Sequence, residues 1–184
     1  MGQGGGFQEP PNRFPEKAIT SAASLPTQAN SRIVEIEGPV HEDEVVTRIR
    51  GLWKLGRAGT RIQDAVAKGI RSLLVTKRCV REDGFLMVPN AQVPVRNREA
   101  VTSGTLRKPD MLPPIELRSA ILAIIDAGHG AMMQEIAPAV ARMLGFRTTG
   151  VQLRSVIDAQ RSKLIRKGEI EDVNGMLKHT QKKI

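Results

Sequence analysis

The sequence predicts a mainly α-helical protein with small β-hairpins, arranged as two tandem winged-helix-like units that are related by an internal repeat. Three observations predict this fold. Apolar residues recur at helical spacing in six segments, and an Asp-Gly and an Asn-Gly pair are each flanked by short strand-like runs. The two halves also agree when the chain is shifted against itself. A plain helical bundle with incidental hairpins is the alternative.

The internal repeat needs no gap at an offset of 91 residues (150 − 59), which places Gly59 on Gly150 and Gly84 on Gly175. Apolar positions coincide as well, although the residues differ. Val45, Ile49, Val66 and Leu73 meet Ile136, Val140, Ile157 and Leu164. Shared pattern with little shared identity is typical of a duplicated fold whose copies have diverged.

The first unit is predicted to contain helices at about 30–37, 42–55 and 60–76, followed by a hairpin over 79–88 around Asp83-Gly84. The second unit repeats this plan. Helices are expected at about 115–126, 133–144 and 150–167, and two short strands over 169–178 flank Asn174-Gly175.

The domain boundaries follow from composition. Residues 1–25 are rich in Gly, Pro, Ser and Gln, and are predicted to be a flexible N-terminal segment. Residues 26–89 form the first unit, residues 90–113 a Pro-rich linker, and residues 114–180 the second unit. The linker is not expected to hold a long helix, because each Pro removes a backbone donor and clashes with the preceding turn.

Charge points to a polyanionic partner. The chain has 28 Lys and Arg against 19 Asp and Glu, a formal net charge of +9. Residues 31–100 hold 13 basic and 9 acidic side chains and residues 101–184 hold 13 and 8, so both units are basic. Aromatic residues make up only 3%, which disfavours a stacking platform for single strands.

No catalytic, cofactor or metal site is expected. The sequence lacks a phosphate-binding loop motif, and His41, His129 and His179 lack metal-ligand spacing. Cys79, the only cysteine, is expected to be a buried structural thiol. The acids Glu42 and Glu44 are interpreted as favourable charges at a helix start rather than as catalytic groups.

The basic residues are the candidate nucleic-acid contacts. On the third helix of the first unit, Arg61, Lys68 and Arg71 fall outside the apolar stripe and share one face. Such a helix fits the major groove, where Arg and Gln read base edges while Lys, Arg and Thr hold phosphates. The full predicted set also contains Arg57, Thr60, Lys77, Arg78 and Arg81 in the first unit, and Arg147, Thr148, Thr149, Gln152, Arg154 and Arg161 in the second. A charged face that is merely solvated is the alternative.

Several short motifs in the sequence fit the pattern of one domain family. Glu37-Gly-Pro-Val-His41, Arg57-Ala-Gly-Thr-Arg-Ile62, Pro94-Val-Arg96, Leu112-Pro-Pro-Ile-Glu116 and Leu144-Gly-Phe-Arg-Thr-Thr149 fit one pattern over about residues 32–178. The pattern resembles a C-terminal domain of unknown function that ends large bacterial superfamily-1 helicase-like proteins. The resemblance implies an accessory role beside a nucleic-acid motor, with a helicase or nuclease chain as a partner, and it carries no catalytic residues.

The sequence therefore predicts a non-catalytic nucleic-acid-binding module, with DNA favoured over RNA. Protein docking is the alternative, through an exposed patch of Trp53, Phe85 and Phe146. A small enzyme has little support. The chain has no secretory signal and no apolar run long enough to span a membrane, so the cytoplasm is the expected location. The oligomeric state stays open.

Overall fold

The computed structural model describes residues 24–54 and 59–180, and this part of the chain is mainly helical with two small antiparallel sheets. The first half contains α1 (Ser24–Glu37), β1 (Val40–His41), α2 (Glu42–Leu52), α3 (Thr60–Val75), β2 (Val80–Glu82) and β3 (Phe85–Met87). The second half contains α4 (Pro114–Gly128), β4 (Ala131–Met132), α5 (Met133–Met143), α6 (Val151–Arg166), β5 (Ile170–Val173) and β6 (Met176–His179). A connecting segment, residues 88–113, contains one 3₁₀ helix, Pro109–Met111.

The same order of elements occurs in both halves. Adding 91 to the bounds of β1, α2 and α3 gives the bounds of β4, α5 and α6. Each sheet has three strands, in the order β1-β3-β2 in the first sheet and β4-β6-β5 in the second. Each half therefore folds as three helices with one small sheet.

Local chemistry explains where the elements begin and end. Helix α2 starts after His41, whose Nδ1 accepts a hydrogen bond from the Asp43 amide, and acids occupy its first turn. Helix α4 starts at Pro114, where a missing N–H costs nothing, and ends at Gly128, after which His129 caps it with φ 52°. The two hairpin turns have positive φ at both central residues, 48° and 81° at Asp83-Gly84 and 55° and 85° at Asn174-Gly175. These values fit the type I′ turns that such residue pairs favour.

Each half has its own apolar core. In the first half, Val45, Ile49, Val66 and Leu73 pack with Leu86 from β3. In the second half, the equivalent residues Ile136, Val140, Ile157 and Leu164 pack with Leu177 from β6. The side chains that the repeat aligns are thus the ones that fill both cores.

Some predicted bounds were wrong. Helix α1 begins at Ser24 instead of about residue 30. Helix α2 ends at Leu52 because the chain turns at Lys54, which has φ 53°, and the predicted end at Leu55 lies outside the described residues. The predicted flexibility of residues 1–23 also concerns undescribed residues. Strands β1 and β4 were not predicted. In the part of the chain that the structure describes, no helix is long and apolar enough to cross a membrane.

Candidate functional site

The exposed face of α3 carries three cations. Val66, Ile70 and Leu73 bury the opposite face of this helix. Arg61, Lys68 and Arg71 are exposed, and none of them forms an ion pair within residues 24–54 and 59–180. Thr60, the first residue of α3, is also exposed, whereas Arg57 lies outside the described residues. The structure thus places on one helix face the cations that the sequence grouped there.

The start of α6 presents a second polar surface. Arg147 and Thr148 are exposed in the turn before this helix, and Gln152 and Arg154 are exposed in its first turns. Neither arginine has an ion-pair partner among the residues that the structure describes. Thr149 is half-buried. Unpaired cations beside the free amides of a helix start can bind phosphate oxygens without first breaking an internal contact.

Three predicted site residues form contacts with other side chains of the chain. Arg161 lies 2.7 Å from the Asp158 carboxylate and is mostly buried, and its Nε has no hydrogen-bond partner among the described residues. Arg81 donates to Glu42 at 3.1 Å, and Arg78 donates to the Ser31 hydroxyl at 2.9 Å.

Lys77 differs from these three arginines. It is exposed, with φ 56°, and it has no ion pair in the described part of the chain. The predicted set therefore divides into cations without an ion pair among the described residues and the three arginines that have one.

A charged cluster joins the first hairpin to the second half. Arg118 of α4 donates two hydrogen bonds to the Glu82 carboxylate, at 2.8 and 2.7 Å, and also donates to Gln160. Lys163 of α6 donates to the same carboxylate. These hydrogen bonds outweigh the opposing effect of burial and lower the pKa of Glu82 to about 2. The first hairpin is thereby fixed against α4 and α6.

A second cluster holds the connecting segment to both halves. The Arg98 guanidinium and the Glu116 carboxylate form two hydrogen bonds of 2.8 Å, and both side chains are buried. The Arg96 guanidinium donates to Glu116 Oε2 at 3.0 Å and also to the backbone oxygens of Glu37 and Pro39. Burial alone would raise the pKa of Glu116, but the hydrogen bonds and charges of Arg98 and Arg96 lower it below its ordinary value.

Three of the motifs quoted from the sequence meet at this second cluster. Glu37 and Glu44 both pair with Arg48, and His41 caps α2 with its ring 5.0 Å from that of Phe85. Arg96 joins the Pro39 carbonyl to Glu116, so three of the motifs are in direct contact. Around these residues lies an open cleft of about 410 Å³. Most of the charged side chains that line it form ion pairs within the chain. The polar side chains of these motifs thus connect α1, the connecting segment and α4.

Cys79 and the acids at the start of α2 are the reactive side chains that the sequence singled out. No group of three or more His, Cys, Asp and Glu side chains could hold a metal ion within the described residues. Cys79 is buried, as predicted, and burial raises the pKa of its thiol above the ordinary value. The acids Glu42, Asp43 and Glu44 occupy the first turn of α2, where they favour the helix dipole.

Comparison with known proteins gives one partial match. The family model described as "Protein of unknown function (DUF3320)" matches residues 25–64, which is 40 of the 184 residues. The match covers α1, β1, α2 and the start of α3, a shorter range than the quoted motifs. It supports similarity to a domain family of unknown function. No curated protein and no solved structure matches the chain.

Sequence reasoning missed the residues that join the two halves. Glu82 and Arg118 are 36 residues apart, and Arg98 and Glu116 are 18 apart, so no local spacing connects them. The motifs Pro94-Val-Arg96 and Leu112-Pro-Pro-Ile-Glu116 carry opposite charges, and these charges are the signal in the sequence that could have paired them.

Proposed function

We propose that this chain is a non-catalytic, nucleic-acid-binding accessory module of two tandem winged-helix units, and that its ligand is double-stranded DNA. The observation that carries the proposal is the set of exposed cations on α3 and at the start of α6 that have no ion pair among the described residues. Following the family resemblance, we place the module beside a helicase-like motor or nuclease in the cytoplasm.

The order of elements supports the winged-helix interpretation. In each half, two consecutive helices are followed by a β-hairpin with a two-residue turn. A short strand that precedes these two helices pairs with the hairpin and completes the sheet. Helices α3 and α6 then occupy the position of a recognition helix. Both have an apolar face packed in a core and a polar face in solvent.

Side-chain chemistry supports duplex DNA over single strands. Lys and Arg on an exposed helix can hold phosphates, and Gln152 and the arginines can reach base edges in a major groove. Single strands would call for exposed aromatic rings, yet Phe85 is buried and Phe146 is half-buried. Double-stranded RNA is disfavoured because its major groove is too narrow for a helix.

The protein-docking alternative loses its predicted surface. Trp53 is 39% exposed, but Phe85 is buried and Phe146 is half-buried, so the three rings do not offer one shared exposed patch.

The test is fluorescence anisotropy with labelled duplex of mixed sequence and the full chain, across a salt series. We expect micromolar or tighter binding that weakens several-fold with each doubling of salt. Replacing Arg61, Lys68 and Arg71 with Ala should weaken binding at least tenfold. It should also reduce the salt slope by about one for each lost phosphate contact.

A charge-matched control separates a defined surface from general basicity. Arg32, Arg50 and Arg142 are exposed cations on α1, α2 and α5, so their triple Ala variant removes the same charge from elsewhere. An equal loss of affinity in this control would contradict the placement on α3. Absence of binding to duplex DNA, single strands and RNA at low salt, with the fold intact by circular dichroism, would overturn the proposal.

A further inference from the structure

The outward face of α6 lacks the charge that the equivalent face of α3 carries. The bounds of the two helices differ by 91 residues, so equivalent positions follow from that offset. The positions of Arg61, Asp64, Lys68 and Arg71 on α3 are occupied on α6 by Gln152, Ser155, Ala159 and Ser162. All of these residues are exposed. Three cations and one acid thus face solvent on α3, whereas the same four positions of α6 are neutral.

We call the four α6 positions, Gln152, Ser155, Ala159 and Ser162, the neutral face. Its polar side chains form no hydrogen bond with another residue that the structure describes. An open cleft of about 690 Å³ borders Gln152 and Ser155, so the connecting segment leaves these two side chains accessible. The connecting segment lines this cleft with Lys108 and Asp110, whose charges are opposite. The neutral face therefore offers hydrogen-bond donors and acceptors rather than charge.

The exposed cations of α6 lie beside or beyond the neutral face. Arg154 follows Gln152 by two residues, which is roughly 200° around a helix. Arg147 lies in the turn before α6, and Arg166, which is also exposed, follows only in the last turn. These cations can hold phosphates that flank a groove, and the neutral face is then left for the base edges.

The residue types of the two faces suit different parts of a duplex. Cations bind phosphates of any sequence, and their contribution to affinity falls as salt rises. In the major groove, a Gln side chain can form two hydrogen bonds with adenine, and an Ala methyl group can pack against the methyl group of thymine. A Ser hydroxyl can bond to either kind of base. A neutral face adds affinity only where the bases match it.

We propose that the two units have different roles on DNA. The α3 face anchors the duplex through phosphates, and the neutral face of α6 determines which sequence is bound. Gln152 would contact an adenine, and Ala159 would contact a thymine methyl group. This inference rests on the proposed function, and it goes further by assigning sequence readout to the second unit.

The test is selection of bound duplexes from a pool of random sequence by the full chain, followed by sequencing. We expect an enriched motif that contains an adenine at one position. Changing that base pair in a selected duplex should weaken binding by the parent protein roughly five- to 150-fold. Fluorescence anisotropy measures this ratio for the parent and for each variant.

Two variants separate readout from anchoring. Gln152→Ala combined with Ser162→Ala should reduce the preference for the motif at least fivefold. The same variant should change binding to an unselected duplex less than twofold and keep the salt slope. Replacing Arg61, Lys68 and Arg71 with Ala should weaken selected and unselected duplexes by similar factors and should lower the salt slope.

Gln134→Ala is the matched control for Gln152, because Gln134 is an exposed glutamine on α5, outside the proposed DNA surface. It should bind both kinds of duplex as the parent does. Circular dichroism confirms that each variant is folded.

Three results would overturn the inference. If the parent binds duplex with strong salt dependence but enriches no motif, sequence readout is wrong and the proposed function stands. If the preference survives the Gln152 and Ser162 substitutions and is lost in the α3 variant, the roles of the two helices are reversed. If the parent binds no duplex at low salt, the inference fails together with the proposed function.

Discussion

Arg98 and Glu116 form a bidentate pair between the connecting segment and the first turn of α4, with both hydrogen bonds at 2.8 Å and both side chains buried. Charges removed from water are stable only when their hydrogen bonds are satisfied, and here Arg96 supplies further donors to the same carboxylate. The pair therefore determines how the connecting segment lies against the second half.

Removing one member of this pair should be costly. Glu116→Ala leaves Arg98 buried without its counter-charge, and we expect a loss of about 3–5 kcal/mol in the free energy of unfolding. Urea denaturation of the variant measures it. Glu99→Ala is the control, because Glu99 is exposed one residue after Arg98 and should change stability by less than about 0.5 kcal/mol. Similar stabilities for the two variants would contradict this role of the pair.

The Glu82 cluster should make stability depend on pH. The pKa of Glu82 is lowered from 4.5 to about 2 in the folded state, so its stabilisation is fully present above its unfolded pKa and is lost as pH falls through the folded value. Glu82→Gln should cost on the order of 2 kcal/mol at neutral pH. At about pH 3 the difference from the parent should fall by roughly half or more. A difference that does not change between these pH values would refute the assignment.

Gly145 occupies a position that excludes a side chain. Its φ is 81°, and a Cβ atom there would lie 2.5 Å from Asn97 Oδ1 and 2.6 Å from the Glu99 amide nitrogen. Gly145→Ala should therefore lower the melting temperature and loosen the contact with the connecting segment.

Gly51 provides the matched control for this substitution. A Cβ atom at Gly51, within α2, would meet nothing within 4 Å. Gly51→Ala should raise stability by up to about 1 kcal/mol, because Ala favours the helix. Equal melting temperatures for the two variants would contradict the steric argument.

The two kinds of arginine on α6 should behave differently. Arg154 is exposed and has no ion pair in the described part of the chain, so Arg154→Ala should weaken duplex binding about three- to tenfold and leave the melting temperature unchanged. Arg161 pairs with Asp158 and is mostly buried, so Arg161→Ala should lower stability with little effect on affinity. Anisotropy and thermal melting of both variants are the measurements, and a reversed pattern would count against the proposed surface.

Most of the fold could be predicted from the sequence because its signals are local. The spacing of Val66, Ile70 and Leu73 marks α3, and Asp83-Gly84 and Asn174-Gly175 mark the hairpins. Two-residue strands such as Val40–His41 have no period of their own. They exist only because β3 and β6 offer an edge, so tertiary contacts create them.

The candidate site was predictable only in part. Exposure of Arg61, Lys68 and Arg71 follows from helix geometry, because they lie off the apolar stripe. The ion pairs that Arg81 and Arg161 form do not follow from helix geometry. Arg81 pairs with Glu42, which is distant in sequence, and a helix pattern does not tell whether Asp158 binds Arg161 or leaves it to solvent.

The connecting segment has a practical consequence for anyone who divides this protein. Cutting at residues 89 and 114 follows composition, yet it would remove one wall of the cleft beside Phe85 and separate Arg98 from Glu116. A first half expressed alone would leave Glu82 without Arg118 and Lys163. A second half without its arginines would carry a buried, unpaired carboxylate. The smallest fragment worth expressing is one in which residues 90–113 remain attached to both halves.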